Sequence, residues 1–465
     1  MTMIPRLLRG AAVLTTAGLA TVFAPAAGAA PCTVVAFNSC YIGVDGTDTQ
    51  MLNTTAANYD FVGLGVNSSE VGILPPVGAS GQLSGTLNVN AGGSMTLNYL
   101  PLTIGSPTVR PADNSVLLGV SAGSSGTLNV NGGSVNTPLL FVGQGDPGRP
   151  STGTATISSG GTVTATLDSG TSGPLPGFNA VNIGRGPGSI GTVTVTGAGS
   201  TLNAPAGYIS LGREGSGTLN VLAGGQVVGS QTASTVFGST ATTSGKTAIL
   251  VDGTGSKLTA DQMLLGVGLG TFPPGTRPIP NFGSTNHGNG TLDVRNGGEV
   301  AVNDLFVGSG GRLQGNGTIT GNVTSTGIVA PGNSPGTLHI AGNFTQTGGA
   351  LEIQIASASD FDIIDVNGFA SLTNVLIEFL FVDGYAPSAG TSFSFLQTTS
   401  GLNNTGSTYA YAGLQPGFGY TVDDTNGLMT LVATTNGVAV PEPGTLALLL
   451  GAGLAGIGVR RRTAS

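Results

Sequence analysis

A short phrase of the form Gly-Thr-Leu-Asn-Val recurs along the middle of the chain, and it constrains the fold more than any other feature. Its alternation of polar and apolar residues has the two-residue period of a β-strand with one face buried and one face exposed. Repetition of such a unit is typical of solenoids, in which each unit packs on its neighbours. The copies stand at residues 85–89, 126–130, 153–157, 191–195, 217–221 and 290–294, with a degenerate copy at 246–250.

Two further short strands are predicted after most copies. A Gly-Gly turn leads into the second strand at residues 92–95, 132–135, 160–163, 224–227 and 297–300. A third strand then ends in glycine at residues 140–143, 181–184, 209–212, 236–238 and 305–308. Three short strands per coil predict an all-β, right-handed parallel β-helix, because parallel crossovers are overwhelmingly right-handed and glycine permits tight corners. The alternative is a β-sandwich, which is disfavoured because hairpin turns do not separate the strands in simple pairs.

The composition by itself would also fit a disordered chain. Of 465 residues 81 are glycine, 8% are charged, 5% are aromatic and none is tryptophan. Glycine-rich chains often fail to bury enough apolar surface to fold. Here 39% of the residues are hydrophobic, and they follow a strict local pattern, so we expect a packed core.

The first 29 residues have the three parts of a secretory signal peptide. Arg6 and Arg9 form a basic segment, residues 11–23 are apolar, and Ala27-Gly28-Ala29 offers a cleavage site between small residues. Five of the 14 basic residues lie in this segment and in the C-terminal tail and are lost on processing, whereas all 22 acidic residues remain if Glu442 is kept. The processed chain therefore has a net charge near −13, which argues against general binding of nucleic acid.

The two cysteines of the chain, Cys32 and Cys40, follow directly after the expected cleavage site. An exported compartment is oxidising, so we expect a disulfide that closes this short loop in an N-terminal cap. A lipoprotein signal at Cys32 is disfavoured because Pro31 occupies the position of the required small residue. A metal site is disfavoured because two cysteines without a nearby histidine do not complete a ligand shell.

The last 28 residues consist of three distinct pieces. Pro441-Glu442-Pro443 is stiff and extended, residues 445–459 are uncharged and rich in Leu, Ala and Gly, and Arg460, Arg461 and Arg462 follow. A helix of the apolar piece would be roughly 22 Å long, which is shorter than the roughly 30 Å hydrocarbon core of a bilayer. The arginines are expected on the cytoplasmic side of such a membrane.

This tail closely resembles the PEP-CTERM sorting signal of exported proteins in Gram-negative bacteria that make exopolysaccharide. The resemblance covers residues 440–462 and lies in the order of Pro-Glu-Pro, short apolar helix and arginine cluster. It implies a transient stay in the inner membrane and cleavage near residues 441–443 by an exosortase, which is a membrane cysteine protease. The alternative is an ordinary single C-terminal membrane anchor.

The region after Leu313 resembles the C-terminal part of autotransporter passenger domains, which are β-helices. Residues 328–338, 342–346 and 362–366 carry this resemblance, which is close over 313–396 and loose over 85–396. The chain departs from that family after Gly401, where too few residues remain for a membrane β-barrel, so we expect no secretion pore of its own.

These features divide the chain into five segments. They are a signal peptide (1–29), an N-terminal cap with a Cys32–Cys40 disulfide (30–80), β-helix repeats (81–357), a C-terminal β cap (358–437) and a sorting signal with a short hydrophobic helix (438–465).

Residues with catalytic or metal-binding potential are sparse and dispersed. Asp360, Asp362 and Asp365 are close enough in sequence to hold Ca²⁺, but the first two are expected on one strand face and the third on the other. The two histidines, His287 and His339, have no nearby serine, cysteine or carboxylate at the spacing of a catalytic triad. A polysaccharide lyase or hydrolase would need clustered carboxylates, and Asp252, Asp293 and Asp304 could converge only from adjacent coils. We expect no cofactor and no bound metal.

Six basic residues follow soon after the glycine that closes a third strand. They are Arg149, Arg185, Arg213, Lys246, Arg277 and Arg312, while only Asp146 and Glu214 are acidic in the same loops. Loops from one corner of a solenoid stack along one edge. The hypothesis is a basic edge that binds an anionic polysaccharide, because arginine pairs well with carboxylate and sulfate groups. The alternative is that charges simply prefer loops.

The sequence therefore favours a non-catalytic protein of the cell surface or extracellular matrix. We expect export by the signal peptide, sorting by an exosortase, and association with exopolysaccharide or biofilm. The alternative is a secreted β-helix enzyme that acts on polysaccharide.

Overall fold

The computed structural model describes most of the chain between the two terminal targeting segments. The described residues are 34–36, 39–44, 47–53, 56–59, 61–66, 83–97, 115–119, 122–145, 150–167, 179–205, 207–232, 234–239, 244–269, 278–332 and 335–440. The regular secondary structure within these ranges consists of β-strands alone. The proposed signal peptide and the whole of the predicted C-terminal helix lie outside them.

Three ladders of parallel strands run the length of the molecule, and each coil contributes one strand to each ladder. The first ladder forms a 13-stranded sheet. Its members are β3 (Thr47–Leu52), β6 (Ser84–Asn90), β9 (Ser125–Asn131), β12 (Thr152–Ser158), β15 (Ile190–Thr196), β18 (Ser216–Leu222), β21 (Lys246–Asp252), β26 (Asn289–Arg295), β28 (Gly311–Gly315), β30 (Ile328–Pro331), β33 (Ala350–Ile355), β36 (Leu376–Phe381) and β39 (Thr408–Ala412).

The second and third ladders share the two long strands β27 (Glu299–Val307) and β29 (Thr318–Ser325). The second ladder also contains β4 (Ala56–Tyr59), β7 (Ser94–Leu97), β10 (Ser134–Thr137), β13 (Thr162–Ala165), β16 (Thr201–Ala204), β19 (Gln226–Gly229), β22 (Lys257–Thr259), β31 (Thr337–Ile340), β34 (Ile363–Val366) and β37 (Ser392–Thr398). The third ladder contains β2 (Ser39–Val44), β5 (Phe61–Val66), β8 (Ser115–Leu118), β11 (Leu139–Gln144), β14 (Asn179–Arg185), β17 (Tyr208–Leu211), β20 (Thr235–Gly238), β23 (Gln262–Leu265), β32 (Phe344–Thr347), β35 (Ala370–Thr373) and β38 (Leu402–Thr405). The predicted parallel β-helix with three short strands per coil is confirmed.

Equivalent residues of successive repeats stack directly on one another. Leu87 pairs in register with Leu128, and the same column continues through Ala155, Val193, Leu219, Ile249, Leu292 and Leu313. These side chains point inward and are almost completely buried. Each buried Leu or Val stabilises the fold by about 1.5–3 kcal/mol relative to an exposed one. Because the same alternation recurs in every repeat, a one-residue slip would move a whole apolar row to the solvent face.

A glycine close to the end of the third-ladder strands is required by close contact with the next coil. Gly143, Gly184 and Gly212 have positive φ angles of 70°, 68° and 57°. A Cβ atom on any of them would overlap the backbone carbonyl group of the first-ladder strand that follows one coil later, at Ile190, Ser216 or Lys246. Only glycine combines that backbone conformation with so close an approach.

The strand pairing places the ends of the β-helix outside the predicted boundaries of 81–357. At the N-terminal end, β3 pairs parallel with β6 and β2 with β5, so coils are already present within the segment 30–80. At the C-terminal end, β36 pairs parallel with β33 and β39 with β36. The boundaries were misplaced because the terminal coils lack the Gly-Thr-Leu-Asn-Val phrase, although they keep the alternation of buried and exposed residues.

At each end an antiparallel strand covers one of the three ladders. At the N-terminal end, β1 (Val34–Ala36) pairs antiparallel with β2. At the C-terminal end, β41 (Leu428–Ala433) pairs antiparallel with both β37 and β40 (Tyr420–Asp423). The remaining short pair, β24 (Gly268–Leu269) and β25 (Pro280–Asn281), belongs to a loop inserted between two coils.

Candidate functional surfaces

The outward face of the first ladder carries an in-register column of threonines. Thr49, Thr86, Thr127, Thr154, Thr192 and Thr218 occupy the same position in six successive coils. Five of these side chains are half-buried between their neighbours, and Thr49 at the end of the column is exposed. β-Branched residues are favoured in strands because their side chains pack on the pleated surface. The repeat therefore produces a straight row of hydroxyl groups.

Asparagine, serine and threonine fill the neighbouring columns of the same face. The Asn129 amide donates to the Asn88 side-chain oxygen of the preceding coil at 2.8 Å, and the Asn220 amide donates to the Thr194 hydroxyl at 3.4 Å. We call the outward positions of β6, β9, β12, β15 and β18 the hydroxyl–amide face. None of its residues is charged.

The continuation of this sheet, over β21, β26, β28, β33 and β36, is charged instead, and we call it the charged face. Arg295 contacts the Asp252 carboxylate at 3.1 Å and the Asp293 carboxylate at 3.6 Å. Asn296 also donates to Asp252 at 2.8 Å. Asp252 and Asp293 thus converge around Arg295, whereas Asp304 lies on β27 in the third ladder, where it accepts a hydrogen bond from Asn322.

Of the six residues of the hypothetical basic edge, the structure places three near one corner. Arg185 is the last residue of β14, and Arg213 follows Gly212 just after β17; these two strands pair at Ile183 and Leu211. Lys246 is the first residue of β21 and is exposed. Glu214 lies at this corner as well. Arg149 and Arg277 lie outside the described residues, so the predicted edge remains a hypothesis.

Arg312 is not in a corner loop, contrary to that hypothesis. It lies within β28, in register with Thr291, and its guanidinium group contacts the Glu352 carboxylate at 2.7 Å. The cause is that Gly311-Arg312-Leu313 is itself a copy of the repeat phrase with arginine in the threonine position. Arg312 therefore belongs to the charged face.

The three aspartates near residue 362 have three different environments. Asp360 is exposed in a turn before β34, and Asp365 is on the outward face of β34, where it contacts His339 at 2.9 Å. Asp362 is buried, and its carboxylate accepts hydrogen bonds from the backbone N–H groups of Gly336 at 2.9 Å and Gln354 at 2.8 Å. The expectation that Asp360 and Asp362 share a strand face is wrong, because the strand begins only at Ile363.

Burial dominates the electrostatics of Asp362. It raises the pKa of this carboxyl from 3.8 to about 7, although the two backbone N–H groups act in the opposite direction. The carboxylate ties the loop after β30 to the coil that follows it. Within the described residues no group of three or more His, Cys, Asp and Glu side chains could hold a metal ion.

Both histidines have contacts that the sequence did not predict. His339 pairs with Asp365 because their strands are register partners, and the Ser309 hydroxyl lies 3.1 Å from Nε2 of His287. Ser309 is on the coil after His287, 22 residues later in the chain. Sequence spacing cannot reveal such contacts because the loops between coils differ in length.

Cys40 is disulfide-bonded in the structure, and the sequence contains one other cysteine, Cys32. Cys32 lies outside the described residues, as do Pro441, Glu442, Pro443 and the three tail arginines. The described part of the chain contains no helix that is long and apolar enough to cross a bilayer.

A comparison with protein families matches residues 439–462 to the PEP-CTERM protein-sorting motif. The chain carries a PEP-CTERM motif. The match confirms the predicted resemblance of the tail and begins two residues before the Pro-Glu-Pro element. A comparison with curated proteins finds no match to this chain. The PEP-CTERM motif implies exosortase-dependent sorting of an exported protein.

Proposed function

We propose that this chain is a non-catalytic protein of the cell surface or extracellular matrix. In this proposal a signal peptide exports it, the PEP-CTERM tail holds it briefly in the inner membrane, and an exosortase releases it into exopolysaccharide. The observation that carries the proposal is the sorting motif at residues 439–462, which directly follows a β-helix. Stacked coils of this kind present extended surfaces, which suit contact with a polymer.

Intact-mass analysis of the exported protein tests the processing step. We expect wild-type cells to yield a chain that ends near residues 441–443. A variant with Arg460, Arg461 and Arg462 replaced by glutamine should keep its tail if the arginine cluster is part of the signal. Recovery of the chain through Ser465 from wild-type cells would contradict the proposal.

Retention in the matrix tests the second step. The protein should fractionate with the extracellular polysaccharide of its own cells and should be released when that polysaccharide is digested enzymatically. If the protein is found wholly in the cell-free medium with its tail removed, the proposed matrix role is contradicted and the proposed sorting route is not.

A second candidate function is a secreted enzyme that acts on polysaccharide. The convergence of Asp252 and Asp293 around Arg295 on an exposed face favours it, since such sites need clustered carboxylates. Release of reducing sugars or unsaturated products from the cells' own polysaccharide would support the enzyme. Loss of that release in Asp293→Asn would locate the activity on the charged face.

A further inference from the structure

The hydroxyl–amide face differs from a merely solvated sheet surface in its composition. It has 20 outward positions, and 18 of them are Ser, Thr or Asn; the other two are Ile190 and Leu222. The charged face continues the same columns in the same sheet and carries seven charged residues. The second ladder of the same coils is also uncharged, with Ser, Thr and Asn on the outward face of β10, β13 and β16, but it offers two outward positions per strand where the first ladder offers four. The first ladder therefore presents the wider uncharged hydrogen-bonding surface of these coils, and such a surface suits a ligand without charge.

The side chains of this face match the hydrogen-bonding chemistry of an uncharged ligand. A threonine or serine hydroxyl donates one hydrogen bond and accepts others, and an asparagine amide does both as well. Sugar hydroxyl groups have the same double capacity. An anionic polymer would find no counter-charge here, and its ionic groups would lose hydration without compensation. Charge complementarity thus selects a neutral polyhydroxylated ligand.

The face is also rigid and periodic. Adjacent coils are about 4.8 Å apart, and successive outward residues along a strand are about 6.6 Å apart. Threonine has a stiff χ1 torsion in strands, so little side-chain entropy is lost when a ligand is bound. A polymer with a repeating unit can make the same contact in several coils at once.

A second copy of this chain is a less suitable occupant. Four coil steps by six residues give a face of about 19 by 20 Å, or about 380 Å². A stable protein interface buries about 800 Å² on each partner. The face is too small for such an interface, and it is uncharged and lacks the aromatic side chains that are enriched at protein interfaces.

We propose that the hydroxyl–amide face binds a neutral polysaccharide. The inference rests on the proposed association with exopolysaccharide and specifies its ligand class. It assigns the contact to the threonine column, and not to the basic corner that contains Arg185 and Arg213.

The test removes hydroxyl groups without changing side-chain shape. The full-length protein carrying Thr154→Val, Thr192→Val and Thr218→Val is compared with wild type for co-sedimentation with insoluble cellulose and curdlan, and for affinity electrophoresis in dextran. The matched control is Thr162→Val, Thr164→Val and Thr201→Val on the outward face of the second ladder, where the threonines are also half-buried. Valine keeps the β-branched shape, so both variants should fold.

We expect wild type and control to bind at least one of the three glucans with the same affinity in low and high salt. The first-ladder variant should bind it about tenfold more weakly, since three hydrogen bonds each contribute a few-fold. Equal weakening in the control would overturn the proposal. So would retention on alginate that falls with salt and depends on Arg185 and Arg213, or an absence of binding to all three glucans.

The outcomes separate this inference from the function on which it rests. A protein that fails to bind neutral glucans but stays in the matrix of its own cells contradicts the ligand class alone. A protein that is not retained in that matrix contradicts the proposed matrix role, whatever it binds in isolation.

Discussion

The repeat coils and the C-terminal coils share one architecture but fill it differently. In β6 to β26 the inward side chains are mainly Leu, Val and Ile, stacked in identical columns. In β36 and β37 the core is aromatic: the rings of Phe379 and Phe395 are 5.1 Å apart, and both are fully buried. Phe381 and Phe418 extend this cluster toward the last coil at a centroid distance of 5.5 Å.

This difference shows two ways to stabilise a solenoid. In the repeats each coil packs between two equivalent coils, so in-register stacking and tight corners are sufficient to stabilise it. At the C-terminal end there is no next coil to cover the core. Large rings and the antiparallel strands β40 and β41 supply that cover. At the C-terminal end a substitution should therefore destabilise the protein mainly by removing buried side-chain volume. In the repeats it should do so mainly by disturbing the backbone geometry.

The largest effect is expected at the aromatic end. Phe379→Ala should lower the free energy of unfolding by about 3–5 kcal/mol, because it removes a fully buried ring and leaves a cavity. Hydrogen exchange should show earlier opening of β36, β37 and β41 than of β9 or β12. Leu219→Ala in the repeats is the matched control, and its loss of protection should centre on the coils around β18. Identical exchange patterns in the two variants would contradict the separation into two regions.

The next effect tests backbone geometry in the repeats. Gly212→Ala should destabilise the protein by about 3 kcal/mol or more, since an alanine there has both positive φ and an overlap with the Lys246 carbonyl group. Gly160→Ala is the control, because Gly160 has a φ of 79° but an open space where the Cβ atom would lie. That variant should cost only about 1–2 kcal/mol. Chemical denaturation of both variants measures the difference in stability. Equal midpoints would show that the close contact between Gly212 and the Lys246 carbonyl group does not affect stability.

The third prediction is a pH dependence at the junction between the two regions. The pKa of Asp362 is raised from 3.8 in the unfolded chain to about 7 in the folded protein. The folded protein therefore binds more protons between these values, and the stability contributed by this group falls as pH rises from about 4 to 7. Asp362→Asn should flatten the slope of unfolding free energy against pH in this window. A slope that stays the same in Asp362→Asn as in wild type would contradict the assignment of this pH dependence to Asp362.

The repeats were predictable from sequence because each copy states the same alternation. Thr127, Leu128 and Asn129 lie outward, inward and outward, as their types indicate. The coils of β36 and β39 were placed in a separate cap because Phe379 and Tyr409 replace the Leu and Val of the phrase. Their neighbours Glu378 and Ala410 nevertheless continue the parallel register. The parallel register between coils is kept when the residue types change, whereas a search for the repeat phrase fails at such a change.

The surfaces were less predictable than the strands. Arg312 was assigned to a corner because it follows Gly308 closely, but it occupies the threonine column one coil later. The pairs His287–Ser309 and Arg312–Glu352 join residues on different coils. Their distance in sequence depends on the intervening loops, so no motif of fixed spacing describes them. The hydroxyl–amide face is visible only once the register shows that the polar residues of separate copies are neighbours.

The strand edges at the C-terminal end have a consequence for how the protein behaves at high concentration. Identical strands stacked in register about 4.8 Å apart have the geometry of a growing fibril, and an open last strand would be a template for another chain. Here the Tyr420 hydroxyl donates to the Tyr409 carbonyl oxygen of β39 at 3.2 Å, and β41 pairs with β37. At this end β41 therefore covers the open edge of β37, and the Tyr420 contact occupies one carbonyl group of β39, so less backbone is left for pairing with another chain.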